Sequence, residues 1–577
     1  MSGRILLAVS CAVSIAIWAE PAGAQSDPGR PARNTSLRAA PATGTASISG
    51  QVLTADTGRP VKRARVLATA SDPPLTRAVT TDEGGLYQID ELPAGSYTLI
   101  VSKTGFVDVS YGQRRPLGPG VRLPLGDGQQ AQRIDFRLPR GSVITGHIFD
   151  QDGEPLMRTS VRALRFQYVQ GERRLVQAGS DDTDDRGQFR IYGLPPGTYY
   201  VSAVLRTGDG SPRFRGGRGG QAPEDAQGRG YAPTYYPGVT STSEALPILV
   251  GLSQEAANIE FSLQLVTTAR VSGTLVGPDG SEATNGVVMM TPDDGTGQFA
   301  LGPNYTGRVQ DAGAFALSGI PPGRYLILAR GQAASAEGLL FASQAISVSG
   351  EEVSGINLML SAGATLSGTV SFEAGSNPPP SDLSQIRVSA SSPVAMPLGG
   401  TTNARVRPDG AFVMAGIPPG ARSLTASGVP GPWALKEVWV NGRDVIDTPI
   451  EFRSGQTATD ARFVFTDRVS EISGSVRDGQ GQPLVDCWVI AFAADPARWR
   501  PQARQIQASR PDGTGVFNLR GLPSGEYYLA AIDRAESGEW YEPAFLEGLR
   551  PGAVKIAIGE GETKSQDLRL TAAATNR

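Results

Sequence analysis

The chain has 577 residues, a formal net charge of −3 and a hydrophobic content of 40%. That length exceeds one ordinary domain and predicts about four or five. Glycine (72) and proline (43) stay short of the level of low-complexity disorder, and the balanced charge gives no global basis for nucleic-acid binding.

In chain order, residues 1–24 read as a secretory signal. Arg4 supplies the positive start, "ILLAVSCAVSIAIW" the apolar run, and Ala22–Ala24 ("AGA") a small-residue cleavage site. The run is too short for a membrane span. A lipoprotein site at Cys11 is the lesser alternative, since Cys11 sits early in the run. Cleavage after Ala24 leaves Cys487 as the one thiol, so no internal disulfide is expected. Residues 25–44 have no apolar period and many breakers, and read as a flexible leader. No later segment is apolar enough to span a membrane, and the final "LTAAATNR" has no anchor pattern.

The remainder repeats. Each unit opens on an alternating strand with a Ser-Gly or Thr-Gly pair: "ISGQV", "ITGHI", "VSGTL", "LSGTV" and "ISGSV". Three units continue with a Gly-x-Pro turn at Gly58, Gly153 and Gly481, then a second strand. In the first unit Ala64, Val66 and Ala68 face one way and Arg65, Leu67 and Thr69 the other. Later comes one phrase in five versions: "ELPAGSYTLIV", "GLPPGTYYVSA", "GIPPGRYLILA", "GIPPGARSLTA" and "GLPSGEYYLAA". Counted from its second glycine (Gly95, Gly197, Gly323, Gly420, Gly525), a glycine stands ten residues earlier, an aromatic eight and an aliphatic six. That order predicts a turn and a short strand with alternate side chains buried. An acidic residue before the turn (Asp82, Asp184, Asp311, Asp409, Asp512) is placed to accept backbone N–H bonds. Pro and the second glycine then make a corner, the glycine allowing φ > 0. Tyr97, Tyr199, Tyr325 and Tyr527 follow, each predicted to bury its ring and bond a backbone group through its hydroxyl. Arg422 replaces the tyrosine in the fourth unit, so a looser corner is expected there. A closing strand ends each unit.

The fold class is therefore all-β: a tandem array of about five Ig-like antiparallel β-sandwich modules of roughly seven strands each. Their expected limits are 45–139, 140–265, 266–362, 363–467 and 468–577. A Gly/Arg-rich insertion over 206–230 lengthens the second. Such a segment reads as a loop insertion or, alternatively, as a binder of RNA or acidic polymer.

The pattern Ser-Gly-x-Val, Gly-x-Pro-Leu, then Asp-x-x-Gly-x-Phe-x-Ile-x-Gly-Leu-Pro-Pro-Gly-x-Tyr resembles the carboxypeptidase regulatory-like domain. The likeness covers nearly all of the chain after the leader and is closest in units one, two and five. It implies a transthyretin-like sandwich related to Cna-B repeats and to carbohydrate-binding-like folds. The Lys–Asn crosslink of many Cna-B repeats does not carry over, because the opening strands hold no Lys.

The residues give no catalytic site. His147, the single histidine, occupies a routine position in an opening strand, beside Gln51, Thr274, Thr369 and Ser475 of the other units. One His and one thiol exclude a His-based zinc site, a Ser-His-Asp triad and a Cys-His pair. The run "DDTDDRG" at 181–187 fails as a calcium loop because Arg186 and Gly193 stand where oxygen ligands are needed. No enzyme activity, cofactor or metal is expected. Tyr231, Tyr235 and Tyr236 read as a strand return packed on its own module or as a sugar platform. The five tryptophans after the signal all lie in the last two units: Trp433, Trp439, Trp488, Trp499 and Trp540. Alignment places Cys487 on the core face and Trp488, Ile490 and Phe492 on the opposite face, a stripe to be covered by a neighbour, by the module's own loop (495–509) or by a ligand. Trp488, Trp499 and Trp540 are the candidate ligand-binding residues. The expected role is an exported, non-catalytic binding scaffold at the cell envelope, periplasmic, on the surface or extracellular. Its expected partner is a polysaccharide or an envelope protein, with neither nucleic acid nor a membrane span. The alternative is a structural spacer or a protein-adhesion module without a sugar ligand.

Overall fold

The computed structural model describes residues 44–570 apart from 72–73, 115–117, 119, 170, 206–227, 294–303, 334–335, 394–397 and 399. The signal, nearly all of the leader and most of the Gly/Arg-rich insertion lie outside the described residues. What is described is all-β, a tandem array of two-sheet sandwiches.

The first module shows the plan. Its opening strand Ala46–Thr54 is bordered by Leu86–Leu92 on one side and by Gln130–Ala131 and Phe136–Leu138 on the other. The facing sheet runs Pro74–Thr80, Arg65–Ser71, Gly95–Ser102, with Val109–Ser110 and Leu123–Leu125 beside the last. Pairing is antiparallel with one exception that recurs: the closing strand lies parallel to the opening strand in all five modules. A parallel pair needs a long crossover. Here the whole module supplies it.

That exception explains the Ser-Gly and Thr-Gly pairs. A Cβ on Gly50, Gly146, Gly273, Gly368 or Gly474 would lie 1.8–2.1 Å from the carbonyl oxygen of Ile134, Ile259, Ile356, Ala461 or Gln566. The closing strand occupies the space any side chain would need. On the other flank each of these glycines pairs with the aromatic of the register: Tyr87, Phe189, Phe315, Phe412 or Phe517. Those rings fill the core beneath, and the Tyr87 hydroxyl donates to the Ile134 carbonyl at 2.6 Å.

Cores follow the predicted alternation. Ala64, Val66 and Ala68 are buried, and so are Cys487, Val489 and Ala491 in the fifth module. The turn carboxylates accept backbone N–H bonds at Asp82, Asp184, Asp409 and Asp512. In the third module Asp311–Gly313 instead forms a short 3-10 turn.

The corner differs from expectation in two respects. The left-handed residue is the first of the phrase: Gly193, Gly319, Gly416 and Gly521 have φ of 71–80°, and Glu91 holds φ 57° in the first module. The second glycine is less uniform, with φ 108° at Gly420, 156° at Gly197 and Gly525, and no positive value at Gly95 or Gly323. The chain therefore turns before the proline, where φ is already fixed, and runs on nearly extended. Tyr97, Tyr199, Tyr325 and Tyr527 bury their rings and donate to the carbonyls of Pro93, Pro195, Pro321 and Pro523 at 2.5–2.9 Å. The fourth corner is not looser. Arg422 is 0% exposed and donates from Nε to Pro418 O and from Nη2 to Pro419 O, each at 3.1 Å. Its planar fork reaches two carbonyls where tyrosine reaches one.

Candidate functional site

The fifth module's second sheet runs Ile506–Ser509, Trp488–Ala493, Gly525–Ile532, Val554–Ile558. Alternation splits its side chains. Val489, Ala491, Tyr527 and Leu529 enter the sandwich core. Ile490, Phe492, Ala530 and Ile532 face away from it, with Trp488 and Tyr528 at their margin. An outward apolar face of this size must be covered. The cover comes from the module itself: the segment around Trp499, the 3-10 turn Glu539–Tyr541, and the α-helix Pro543–Leu549 with Leu546 and Leu549 buried. The helix has no sequence signal beyond the proline that opens it, because its seven residues are too few to show a helical period. Burying each large side chain of this second core is worth about 1.5–3 kcal/mol before entropy is counted.

The three candidate tryptophans belong to this layer. Trp499 is 6% exposed and its indole nitrogen donates to Ala493 O at 2.7 Å. Trp540 is 7% exposed. Trp488 is half-buried, 4.5 Å from the Trp540 ring centroid, and the Arg510 guanidinium lies 3.6 Å over its face. Burial holds Arg510 down to about 10, with Asp486 acting in the opposite direction. Together the tryptophans fasten the cover to the sheet, and Trp488 alone keeps a solvent-facing edge.

Other candidates are engaged locally. Tyr235 is buried, and Tyr236 packs edge-on against Phe261 at 6.1 Å. Tyr231 donates to the Gln151 side chain. His147 sits between Glu260 and Gln188, 3.1 Å from each. Burial pushes the Cys487 thiol up to about 12, so it is held as an unreactive core group.

A concave site that the sequence did not disclose lies between the fourth and fifth modules. Its volume is about 600 Å3. One end is closed by a polar clamp. Asp447 accepts from Arg504 Nε at 3.0 Å, from Arg504 Nη2 at 3.1 Å and from Gln505 Nε2 at 2.9 Å. Arg504 Nη1 reaches back to the carbonyls of Leu435 and Lys436 at 3.2 and 2.9 Å. Asp447 and Arg504 side chains are 19% and 29% exposed. Burial pushes the Asp447 carboxyl up, but its bonds from Arg504 and Gln505 outweigh this and hold it below the usual carboxylate value. Lys436 bridges Glu373 of its own module and Glu560 of the next, at 2.7 and 3.0 Å. Glu373 first, and Glu560 after it, raise the lysine pKa.

The open part of the cleft is lined by Glu437, Thr448, Arg468, Arg498, Arg500 and Glu560, with the corner Gly521–Ser524 as one wall. Guanidinium forks, carboxylates and a hydroxyl alternate there, and no aromatic ring lines it. Such a set offers donors and acceptors together, the requirement for holding a polyhydroxylated ligand. The signal for it in the sequence was weak, since its residues are spread over 434–560 and, the corner Gly521–Ser524 apart, belong to no repeated phrase. Among the described residues no group of three or more His, Cys, Asp or Glu is placed to hold a metal ion, and no helix is long and apolar enough to cross a membrane.

Residues 47–139 match the family model of the carboxypeptidase regulatory-like domain. No curated protein matches the chain. Among solved structures, a streptococcal ancillary pilin is similar at 12% identity over 54% of this chain and 98% of its own, with a TM-score of 0.21. A minor pilin of Streptococcus agalactiae is similar at 12% identity over 38% of this chain and 96% of its own, TM-score 0.19. A candidate carbohydrate-binding protein of Pseudomonas aeruginosa is similar at 18% identity over 17% of this chain and 90% of its own, TM-score 0.13. Likenesses at these scores bear neither on function nor on the placement of modules.

Proposed function

We propose that this chain, with a carboxypeptidase regulatory-like domain at 47–139 and four further sandwiches behind it, is an exported, non-catalytic scaffold of the cell envelope that binds carbohydrate. Its building blocks are the units 45–139, 140–265, 266–362, 363–467 and 468–577. The observation that carries the reading is the cleft between the last two units. A volume of about 600 Å3 suits a short oligosaccharide segment, and Arg468, Arg498, Arg500, Glu437 and Glu560 match its hydroxyls. Sugar exchanged for water at such a polar, aromatic-free site binds weakly, with a Kd of about 10 μM to 1 mM.

Titration calorimetry of the full chain against a panel of neutral and uronic-acid polysaccharides tests this. Arg498→Ala combined with Arg500→Ala is expected to weaken binding at least about tenfold, the loss of one charged hydrogen bond. Trp488→Ala is expected to leave it unchanged. A loss confined to Trp488→Ala would move the site to the edge of the tryptophan layer, and a panel without any binder would refute the carbohydrate reading.

The second reading, a spacer without ligand, is favoured by the Asp447–Arg504 clamp. A joint held by five side-chain hydrogen bonds made by Asp447 and Arg504 constrains the relation of two modules, which a spacer needs and a sugar site does not.

A further inference from the structure

The second module carries a long hairpin, Thr159–Val169 and Glu172–Asp182, of which only the base packs into its own sandwich core, through Val161 and Ala163. The far end turns at Gly171, with φ 83°. A hairpin tip is ordinarily exposed, yet Gly171 is buried. Residues of the fifth module bury it. A Cβ on Gly171 would stand 2.9 Å from Pro501 Cβ and 3.0 Å from Tyr541 Cγ. The reverse holds across the contact: a Cβ on Gly538 would stand 2.7 Å from Tyr168 Cβ. Each surface presents a glycine where the other comes closest, so the fit leaves no room for a side chain on either. Burial first, and a hydrogen bond to Glu542 second, raise the pKa of the Tyr168 phenol. The first module also touches the fifth, with Val121 Cγ1 3.7 Å from where a Cβ on Gly513 would stand.

We propose that the second module's hairpin is a clasp that docks on the helical cover of the fifth module and closes the tandem chain on itself. The contact is made by an apolar tip (Tyr168 and Gly171) on an apolar seat (Pro501, Gly538 and Tyr541), with Glu542 fixing the phenol. It joins residues more than 300 positions apart along the chain, where short linkers alone leave neighbours free to reorient. The inference is independent of what the cleft binds.

The test uses the full chain with Cys487→Ala. Gly171→Cys with Pro501→Cys puts two thiols at a spacing that less than about 1 Å of relaxation brings into the disulfide range. Oxidised glutathione is expected to give a monomeric product that migrates faster on a non-reducing gel and reverts with reductant. The pair Gly153→Cys and Pro501→Cys, with Gly153 on a different turn of the second module, is expected to give none. Crosslinking only between two chains overturns the proposal, and absence of any crosslink, which crowding of Tyr541 by a side chain at Gly171 can itself cause, is decided by amide exchange. A readout without new thiols is amide exchange across 536–546. Tyr168→Ala is expected to speed it at least tenfold, and exchange unchanged from the parent protein overturns the clasp.

Discussion

Gly474→Ala tests the reason given for the Ser-Gly strand. The added Cβ would stand 1.9 Å from Gln566 O and 3.1 Å from the Phe517 ring. Real Cβ atoms do not approach closer than 3.0 Å, so the closing strand has to retreat by about 1 Å or more. The retreat breaks into the parallel ladder Glu471–Ser473 with Thr563–Ser565 and into the bond from Gln566 N to Ser473 O at 2.8 Å. Overpacking of this kind costs about 1–3 kcal/mol, and one lost ladder bond about 1 kcal/mol more. The total of about 2–4 kcal/mol raises the unfolded fraction of the module about 30- to 700-fold. Trp488, Trp499 and Trp540 lie in this module, so tryptophan emission in urea follows it, with amide exchange separating it from the fourth. Gly479→Ala is the control, since a Cβ there meets nothing within 4 Å and needs no unusual φ. A Gly474→Ala midpoint equal to that of Gly479→Ala would refute the claim that the closing strand dictates glycine.

Three further outcomes are expected. Glu91→Gly should stabilise the first module by about 0.5–1 kcal/mol in urea titration, because Glu91 holds the left-handed conformation that glycine adopts without strain in the other four corners. Arg422→Ala should destabilise the fourth module by about 2–4 kcal/mol, read by amide exchange of 411–427, through the cavity and two proline carbonyls left without a donor; Arg422→Tyr should recover most of it. The Asp447 clamp should be sensitive to acid. Its folded pKa lies below the ordinary 3.8, so its contribution is complete above that value and is lost as pH falls through the folded pKa. Exchange of the Arg504 amide, which donates to Asp447, should speed up in that window and at neutral pH in Asp447→Asn.

The fold was legible because repetition removes ambiguity. Five copies of one phrase in one register predict the buried aromatic in every module and the corner tyrosine in four, and these stand in place. What was not legible depends on strands meeting across long intervals. The role of the Ser-Gly glycine requires knowing that a strand some 90 residues later lies parallel beside it. Arg422 in place of the tyrosine predicts a looser corner, and the two carbonyl partners that prevent this are visible only in three dimensions. Strand alternation puts Trp488, Ile490 and Phe492 on the outer face of the sheet, where they lie. Their cover was one of the open alternatives, and the short helix that completes it has no sequence period. The cleft and the clasp join residues from different modules, and no pattern within one module encodes them.

The parallel pairing of first and last strands has a mechanical consequence. A module pulled by its two ends is loaded along those strands in opposite directions, so the bonds between them are sheared together instead of being peeled one at a time. Resistance then grows with the number of residues in register. Among the described residues the fourth module has eight such pairs, from Thr365–Thr457 to Glu373–Thr466, whereas the first, third and fifth have five each. Under tension these three modules are expected to yield before the fourth.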